Sequence, residues 1–286
     1  MAAYWFGELS EDACTPCPSR EPERLSDRLD SIEVDMQQFI PFSWESAREC
    51  GFIGSRDEYV QVLRSVCIFR VERELARISR QPEQELVHMV RMLDHVDEAA
   101  NILAEKALEW HAAKDPTFSR KYRQVRGRRA RDVLSGSENQ LVRAIATELE
   151  HLSGVRAALS REITVLAGNL MPNSSKLVGG VVAARILSAA GGLASLARLP
   201  AGSIQVIGAG QALFSHIRSG TPPPKHGIIY QHQRVHAAPK DRRGKVARTL
   251  AAKLAIAARI DYYRGQMDQG FLESAERAID RAGEIP

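Results

Sequence analysis

Long apolar runs are missing from this chain of 286 residues. No stretch offers about 18 uninterrupted apolar residues, so the sequence predicts no membrane-spanning helix. The N-terminal residues MAAYWFGELSEDAC contain no basic region followed by an apolar core, which argues against a secretory signal peptide. We therefore expect a cytoplasmic protein with no membrane partner.

Signatures of enzyme chemistry are missing as well. The sequence contains no GxGxxG loop, no P-loop and no HExxH motif, and no nucleophile motif accompanies its histidines. His226, His232 and His236 are conceivable metal ligands, but they lie among basic residues without cysteine or carboxylate partners. We expect no catalytic residue, no bound metal ion and no cofactor on this chain.

Cysteine is scarce, with four in the chain. Cys14 and Cys17 form a CxxC pair, whereas Cys50 and Cys67 are isolated. A structural zinc site needs paired ligands at short spacing. We interpret the four cysteines as unpaired thiols of a protein in a reducing compartment.

Positive charge, in contrast, is concentrated in one stretch. The whole chain has a net charge of only +4, yet between Gly208 and Arg264 many basic residues are opposed only by Asp241 and Asp261. A local cationic surface is typical of proteins that bind a polyanion, usually a nucleic acid. Interleaved rings can stack on bases, and the stretch contains Phe214, His216, His226, Tyr230, His232 and His236. A solvated basic face is the alternative.

Several sequence blocks follow one another in this region. They are GAGQALF from Gly208, PKHGIIYQH from Pro224, RGKVAR from Arg243 and LAAKLAIAARID from Leu250. In order and spacing these blocks resemble the Nop domain, a ribonucleoprotein-binding module, and in particular the archaeal Nop-type scaffold proteins of box C/D small ribonucleoproteins. An earlier block, with Asn173, Gly179 and Arg185, matches the family pattern PN…LVG…AR.

The resemblance implies a non-catalytic scaffold for guide-directed ribose 2′-O-methylation of rRNA or tRNA. The implied partners are fibrillarin, which would hold S-adenosylmethionine, a box C/D guide RNA, a kink-turn-binding ribosomal-type protein and a second copy of the chain. The family's Glu-Lys inside GAEKALF is replaced here by Gly210-Gln211, so only a hydrogen bond from the Gln211 amide can replace a contact of that lysine. The expected RNA-binding residues are Gln211, Phe214, His216, Arg218, Lys225, His226, Tyr230, His232, Lys240, Arg242, Arg243, Lys245 and Arg248.

The apolar spacing predicts a mainly α protein. We expect a small N-terminal α/β domain over residues 1–80, a long antiparallel coiled-coil hairpin over 81–171, a helical C-terminal Nop domain over 172–265 and a tail over 266–286. By the resemblance, the first domain is the fibrillarin-binding one. Within that domain we predict a strand at residues 4–6, a loop from Glu8, an apolar segment at 39–42 and a helix over 58–78.

Two apolar seams indicate the hairpin. The first alternates steps of three and four residues, as Leu86, Met89, Leu93, Val96, Ala100, Leu103, Ala107 and Trp110. The second consists of Leu141, Ile145, Leu149, Leu152, Val155, Leu159, Ile163, Leu166 and Leu170. Because a two-helix hairpin buries little surface alone, we predict that the first seam binds a second copy of the chain. Packing onto the chain's own domains is the alternative.

The connection between these helices is basic. It contains Arg120, Lys121, Arg123, Arg126, Arg128, Arg129 and Arg131. We interpret it as an arm that contacts RNA, with a solvated loop as the alternative. Further on, Ser203 is the expected N-cap of a helix that carries the GAGQALF block, and Lys245, Arg248 and Arg259 are expected on one face of an alanine-rich helix.

Two other functions fit parts of the sequence. Residues 177–200, with their paired glycines, also resemble a helix-hairpin-helix motif that binds duplex DNA. That interpretation leaves the basic stretch after Lys225 unexplained. A splicing-type Nop protein is the other alternative, and the compact length argues against it.

Overall fold

The structure is a computed structural model, which describes residues 2–9, 13–32, 44–114, 125 and 127–284. It divides into two compact units, Met1–Gln81 and Pro82–Pro286. Both are dominated by helices, and the described strands form one three-stranded sheet in the first unit. The predicted mainly α fold with a small N-terminal α/β region is confirmed.

The first unit begins with an antiparallel sheet in the order β1-β2-β3 and continues with three helices. Their bounds are β1 Ala2–Tyr4, β2 Gly7–Leu9, β3 Cys14–Pro16, α1 Pro22–Ser31, α2 Trp44–Glu49 and α3 Arg56–Ser79. The strand predicted at residues 4–6 is wrong, because Trp5 and Phe6 form the turn between β1 and β2. That turn buries both rings against Phe52. The prediction that the segment from Glu8 begins as a loop is also wrong, because Glu8 lies in β2 and β3 follows.

A disulfide bond joins Cys14 in β3 to Cys50, which follows α2. The prediction of four unpaired thiols is therefore wrong for this pair, whereas Cys17 and Cys67 are free. The two half-cystines are separated by 36 residues in sequence, so their spacing gives no signal of a pair. The fold brings their Cα atoms to 5.1 Å, which suits a disulfide.

The helix predicted over residues 58–78 is α3. Its start is fixed by Ser55, whose side chain accepts a hydrogen bond from the Glu58 amide, while the Glu58 carboxylate accepts one from the Gly54 amide at 2.6 Å. The Gly54 amide, with Arg20 nearby, lowers the pKa of Glu58. The inner face of α3 buries Val66 in the core of this unit. The apolar segment predicted at 39–42 lies outside the described residues.

The second unit begins with the predicted hairpin, and α4 packs along α6. The helices are α4 Pro82–Lys114, α5 Arg128–Ser135 and α6 Gln140–Leu170. The short helix α5 lies in the predicted basic connection and buries Ala130 and Leu134 against the hairpin. Arg120, Lys121, Arg123 and Arg126 lie outside the described residues.

The first predicted seam is used mostly within the chain. Leu86 and Leu93 are buried in the main core of the unit, and Ala107 is buried in a smaller cluster with residues of α6. Met89, Val96 and Ala100 are half-buried, whereas Leu103 and Trp110 are 41% and 39% exposed. Leu86, Leu93 and Ala107 are therefore unavailable to a second copy, and self-association stays a prediction.

Nine short or medium helices among the described residues complete the second unit. They are α7 Pro172–Val178, α8 Gly180–Ala190, α9 Leu193–Arg198, α10 Ala201–Val206, α11 Gly210–Ser219, a 3₁₀ helix Ile228–Gln231, α12 Gln233–His236, α13 Arg243–Tyr263 and α14 Gln269–Gly283. The alanine-rich α13 is central, since Leu250, Leu254 and Ala258 on it are fully buried. The expected tail is wrong for residues 269–283, because α14 buries Leu272 and Ile279 in the same core.

Asp261, an acid of the basic stretch, has a structural role. It is 3% exposed on α13 and accepts hydrogen bonds from the Asn173 and Ser174 amides at 2.9 and 2.8 Å. It thereby caps α7, whose first amides lack helical partners. The Asn173 side chain joins the same network, since its amide donates to Asp261 at 2.8 Å and its Oδ1 accepts from the Asp268 amide at 2.7 Å.

Candidate ribonucleoprotein interface

The GAGQALF block begins in a break between two helices and continues into the second of them. The chain breaks between α10 and α11 at Gly208, whose φ of +82° suits glycine. A Cβ at this position would lie 2.5 Å from Cγ1 of Ile228. The amides of Gly227 and Ile228 donate to the carbonyls of Gln205 and Ile207 at 2.9 and 2.8 Å. These bonds hold the GAGQALF and PKHGIIYQH blocks side by side.

The break corrects two predictions about this region. Ser203 lies inside α10 and is not the N-cap of the helix that carries the block, because α10 is preceded by Pro200. Gly208 and Gly210 are not interior helix residues, since the first lies in the break and the second begins α11. The signal available in the sequence was the pair of glycines itself, which favours a break over a continuous helix.

Helix α11 buries none of its side chains. Its predicted RNA-binding residues Gln211 and Arg218 are exposed, and so is Phe214, at 62%. Ile217 beside them is 75% exposed, and sequence reasoning missed it. His216 is half-buried, with its Nδ1 against the Thr221 carbonyl. Exposed apolar residues clustered on one helix are typical of a surface that binds a partner.

A cluster of rings and one guanidinium lies in the next block. The Tyr230 ring stacks on His226 with centroids 4.4 Å apart and contacts His236 at 5.0 Å. The guanidinium carbon of Arg243 lies 5.3 Å from the centre of the same ring, within the range of a cation–π interaction. Arg243 also donates to the carbonyls of His236 and Ala238 at 3.3 and 3.1 Å. Four predicted RNA-binding or stacking residues are thus brought together and held firmly.

Two histidines of this region are kept neutral. Burial, with Arg243 and Lys225 nearby, lowers the pKa of His226. Burial, with Arg234 nearby, lowers the pKa of His232. Near neutral pH these side chains are therefore uncharged rings and hydrogen-bonding groups, and the positive charge of the surface comes from lysine and arginine.

The N-terminus of α13 collects cations where helices usually carry acids. Lys245 and Arg248 are exposed, and neither forms an ion pair with a described residue. The first turn holds no acid. Because the helix dipole is positive at this end, the added cations repel it and one another, and a bound anion would relieve that repulsion.

Not every predicted cation is available there. Arg242 contacts the carbonyl of Glu284 and lies 3.7 Å from the Asp241 carboxylate. Lys240 and Lys225 are exposed, and the Lys225 carbonyl accepts a hydrogen bond from the Gln205 side chain at 2.7 Å.

Other basic residues of the sequence serve the fold. Arg259 donates to the Ala197 carbonyl at 3.1 Å, so it is held within the fold, unlike Lys245 and Arg248. Arg234 pairs with Asp280 at 3.2 Å. In the basic connection, Arg131 pairs with Glu150.

Neither a metal-binding cluster nor a membrane-spanning helix is present among the described residues. No group of three or more His, Cys, Asp or Glu in the described part of the chain is arranged to hold a metal ion. Among the described helices, none has both the length and the apolarity to cross a membrane.

Residues 73–281 match the model of the Nop family, whose description reads "snoRNA binding domain, fibrillarin". The chain belongs to the Nop family. A NOP5 family protein of Methanocaldococcus jannaschii is 27% identical over 91% of this chain and 75% of its own length. Nucleolar protein 58 of Lodderomyces elongisporus is 35% identical over 52% of the chain, which covers only 28% of that relative.

A solved structure of a fibrillarin/Nop5p complex also contains a similar chain. It is 29% identical, with a TM-score of 0.51 and 98% of both chains covered. The predicted resemblance to archaeal Nop-type scaffolds is confirmed. The family match begins in α3 and includes both the hairpin and the later helices, so the Nop model spans nearly all of the second unit.

Proposed function

We propose that this Nop-family chain is a non-catalytic scaffold of a box C/D ribonucleoprotein that serves guide-directed ribose 2′-O-methylation of rRNA or tRNA. The observation that carries the proposal is the exposed helix α11 together with the cationic start of α13. The segment between these helices is bonded through Gly227 and Ile228 to the end of α10 and contacts Arg243 through Tyr230. One surface offers apolar side chains and the other offers unpaired positive charge. In this proposal the phosphates of a kinked RNA contact the cationic start of α13, and the RNA or the ribosomal-type protein that holds it contacts the apolar side chains of α11.

In this proposal the roles at the surface are divided. Lys245 and Arg248 contact phosphates, because they are exposed and unpaired among the described residues. Tyr230 and Arg243 keep the loop in place, since their side chains contact each other and Arg243 also donates to two backbone carbonyls. Phe214 and Ile217 bind the RNA or its protein partner through apolar contact.

The first unit offers a separate surface for fibrillarin. The outer face of α3 exposes four large apolar side chains at helical spacing, namely Val60, Ile68, Val71 and Leu75. Support for this partner comes from the likeness to the chain solved as a fibrillarin/Nop5p complex. Fibrillarin would hold S-adenosylmethionine and carry the chemistry, while this chain positions it over the RNA.

We further propose that a second copy binds the outer side of the hairpin. Met92 and Ile102 on α4 and Val155 on α6 are about half exposed. In this proposal these residues form the contact in place of most of the predicted first seam, because Leu86 and Leu93 of that seam are buried in the core of the same chain.

The duplex-DNA alternative is disfavoured at the glycine pairs that suggested it. A Cβ on Gly180 would lie 2.7 Å from Cα of Thr164, so this glycine permits close packing of α8 on α6. At the start of α9 the amide of Leu193 donates to the Glu83 carboxylate at 3.2 Å. An acid thus occupies the position where a helix-hairpin-helix motif would place a DNA phosphate.

Pulldown of the tagged chain from native lysate, followed by mass spectrometry and RNA sequencing, tests the proposal. We expect fibrillarin, a kink-turn-binding ribosomal-type protein and box C/D guide RNAs to be recovered together. The variant Lys245→Gln with Arg248→Gln should lose the RNA and keep fibrillarin, because fibrillarin binds the other unit. Recovery of spliceosomal RNA, or of no RNA, would contradict the box C/D assignment.

A further inference from the structure

A polar cavity of about 440 Å³ lies at the far end of the hairpin, where α4 ends and α6 begins. Its walls come from the last turns of α4 and from the loop between α5 and α6, and it shares no residue with the surface around α11 and α13. The residues that define its chemistry are Trp110, His111, Lys114, Ser137, Glu138 and Asn139. We call this cavity the tip pocket.

The loop that forms one wall of the tip pocket is held rigid. Ser137 is buried, and its hydroxyl contacts Nδ1 of His111 at 3.1 Å. The Arg143 guanidinium donates to the Ser137 and Glu138 carbonyls at 2.7 and 3.0 Å. Oδ1 of Asn139 accepts from the Leu141 amide and caps α6, so its side-chain amide remains to donate elsewhere. A wall fixed in this way costs little further ordering when a ligand binds.

The opposite wall combines an aromatic face with a cation. Trp110 is 39% exposed, whereas Trp5 in the first unit is buried. Lys114 lies one helical turn further along α4 and is exposed. The first turn of α6, at the third side of the cavity, contains no acid. Glu138 is the acid of the lining and can accept a hydrogen bond from a base amino group.

We propose that the tip pocket binds one nucleotide of a single-stranded RNA. The base stacks on Trp110, the phosphate is neutralised by Lys114, and the Asn139 amide and Glu138 carboxylate contact the edge of the base. Stacking on an aromatic face beside a positive charge is the usual way in which proteins hold single strands. The inference rests on the proposed function in one respect, namely that the polyanion bound by this chain is RNA.

Anisotropy titration of labelled oligouridylate and oligoadenylate 10-mers with the full chain tests this site, because it measures each Kd without using Trp110 as the reporter. We also expect the single strands to quench tryptophan emission of the parent, because Trp110 is the tryptophan that stacks. Trp110→Leu should raise the Kd at least tenfold, while Trp110→Phe should stay close to the parent because the ring remains. Lys114→Gln should flatten the log–log salt dependence by about 0.7. Val165→Gln, exposed on α6 and outside the pocket, is the control and should bind as the parent does.

The outcomes separate this inference from the proposed function. If Lys245→Gln with Arg248→Gln abolishes binding of kinked RNA while the tip variants bind single strands as the parent does, the tip pocket is overturned and the scaffold stands. If Trp110→Leu lowers the mass in sedimentation but not the RNA affinity, the pocket is a contact with a second copy, which also overturns the inference. Thermal melting identifies a misfolded variant, and Trp110→Phe together with Lys114→Gln then decides the question.

Discussion

Arg243 contacts a ring and two carbonyl groups at once, whereas Lys245 two residues later contacts solvent. The sequence places both in one basic block and gives no sign of this difference. A side chain that binds a phosphate must be free to reach it, and one that already holds the loop is not. At the scale of single residues, pairing within the fold therefore decides which cations belong to the RNA surface.

Two substitutions separate these roles. Lys245→Gln should flatten the log–log salt dependence of kinked-RNA binding by about one unit and leave stability within about 0.5 kcal/mol. Arg243→Gln should lower the free energy of unfolding by about 1–3 kcal/mol, because two carbonyls and a ring lose their partner. Salt-dependent titrations and urea denaturation measure the two effects. Equal stability of both variants would show that Arg243 does not hold the loop.

The partly buried His226 and His232 predict a pH effect on stability. Their folded-state pKa values are lowered, so the unfolded chain binds protons more readily than the folded chain does. Their contribution is present above the unfolded value of about 6.5 and is lost as pH falls below it. His226→Gln with His232→Gln should reduce the loss of stability between pH 7 and pH 5, and the exposed His95→Gln should not. Urea denaturation at several pH values measures this loss, and an unchanged pH slope in the double variant would contradict it.

Helix α11 stands out at the scale of elements because it contributes nothing to the core. Its position comes from the backbone bonds that tie Gly227 and Ile228 to the end of α10. Because α11 is exposed and apolar and its N-terminal end is fixed, it can bind a partner without rearrangement. This reduces the entropy cost of binding.

Phe214→Ser with Ile217→Ser should therefore leave the melting temperature nearly unchanged and weaken binding to the kinked RNA–protein complex by at least tenfold. Leu213→Ser, on the same helix and partly exposed, is a control for the change of polarity. Calorimetry and filter binding provide the two measurements. A double variant that binds like the parent would remove α11 from the interface.

Two positions on helix α4 of the hairpin distinguish its role in folding from its proposed role in self-association. Leu93→Asp introduces a charge into the core of the second unit and should unfold it, since unpaired buried charges are costly. Ile102→Asp places the charge on the outer face and should leave the fold intact while it lowers the mass seen in sedimentation. A folded Ile102→Asp variant with the parental mass, provided the parent self-associates, would contradict the proposed contact.

Sequence reasoning predicted the hairpin, the long helix of the first unit and the helical Nop region because their apolar periods extend over many residues. It did not reveal which side of α4 is occupied, because Leu86 and Leu103 belong to the same repeat although one is buried and the other exposed. The turn at Trp5 and Phe6, the break at Gly208 and the Cys14–Cys50 pair depend on contacts with distant residues. The blocks of the basic stretch identified the family, but only the packing distinguished free cations from paired ones.

As a whole, the molecule is in our proposal a scaffold with separate surfaces for separate partners. The outer face of α3 belongs to the first unit, and the surface of α11 and α13 belongs to the second. Neither surface carries a group with catalytic chemistry in our proposal, so the chain acts by placing a methyltransferase on an RNA. Activity should therefore depend on both surfaces together, although each binds its own partner alone.

Methyl transfer in a reconstituted complex tests this claim most directly. Purified fibrillarin, kink-turn protein, box C/D guide RNA and target RNA are incubated with labelled S-adenosylmethionine, with or without this chain. We predict 2′-O-methylation at the guided nucleotide only when the chain is present, and its loss with either Val71→Asp with Leu75→Asp or Lys245→Gln with Arg248→Gln. Guided methylation without the chain, or methylation by the chain in the absence of fibrillarin, would contradict the account.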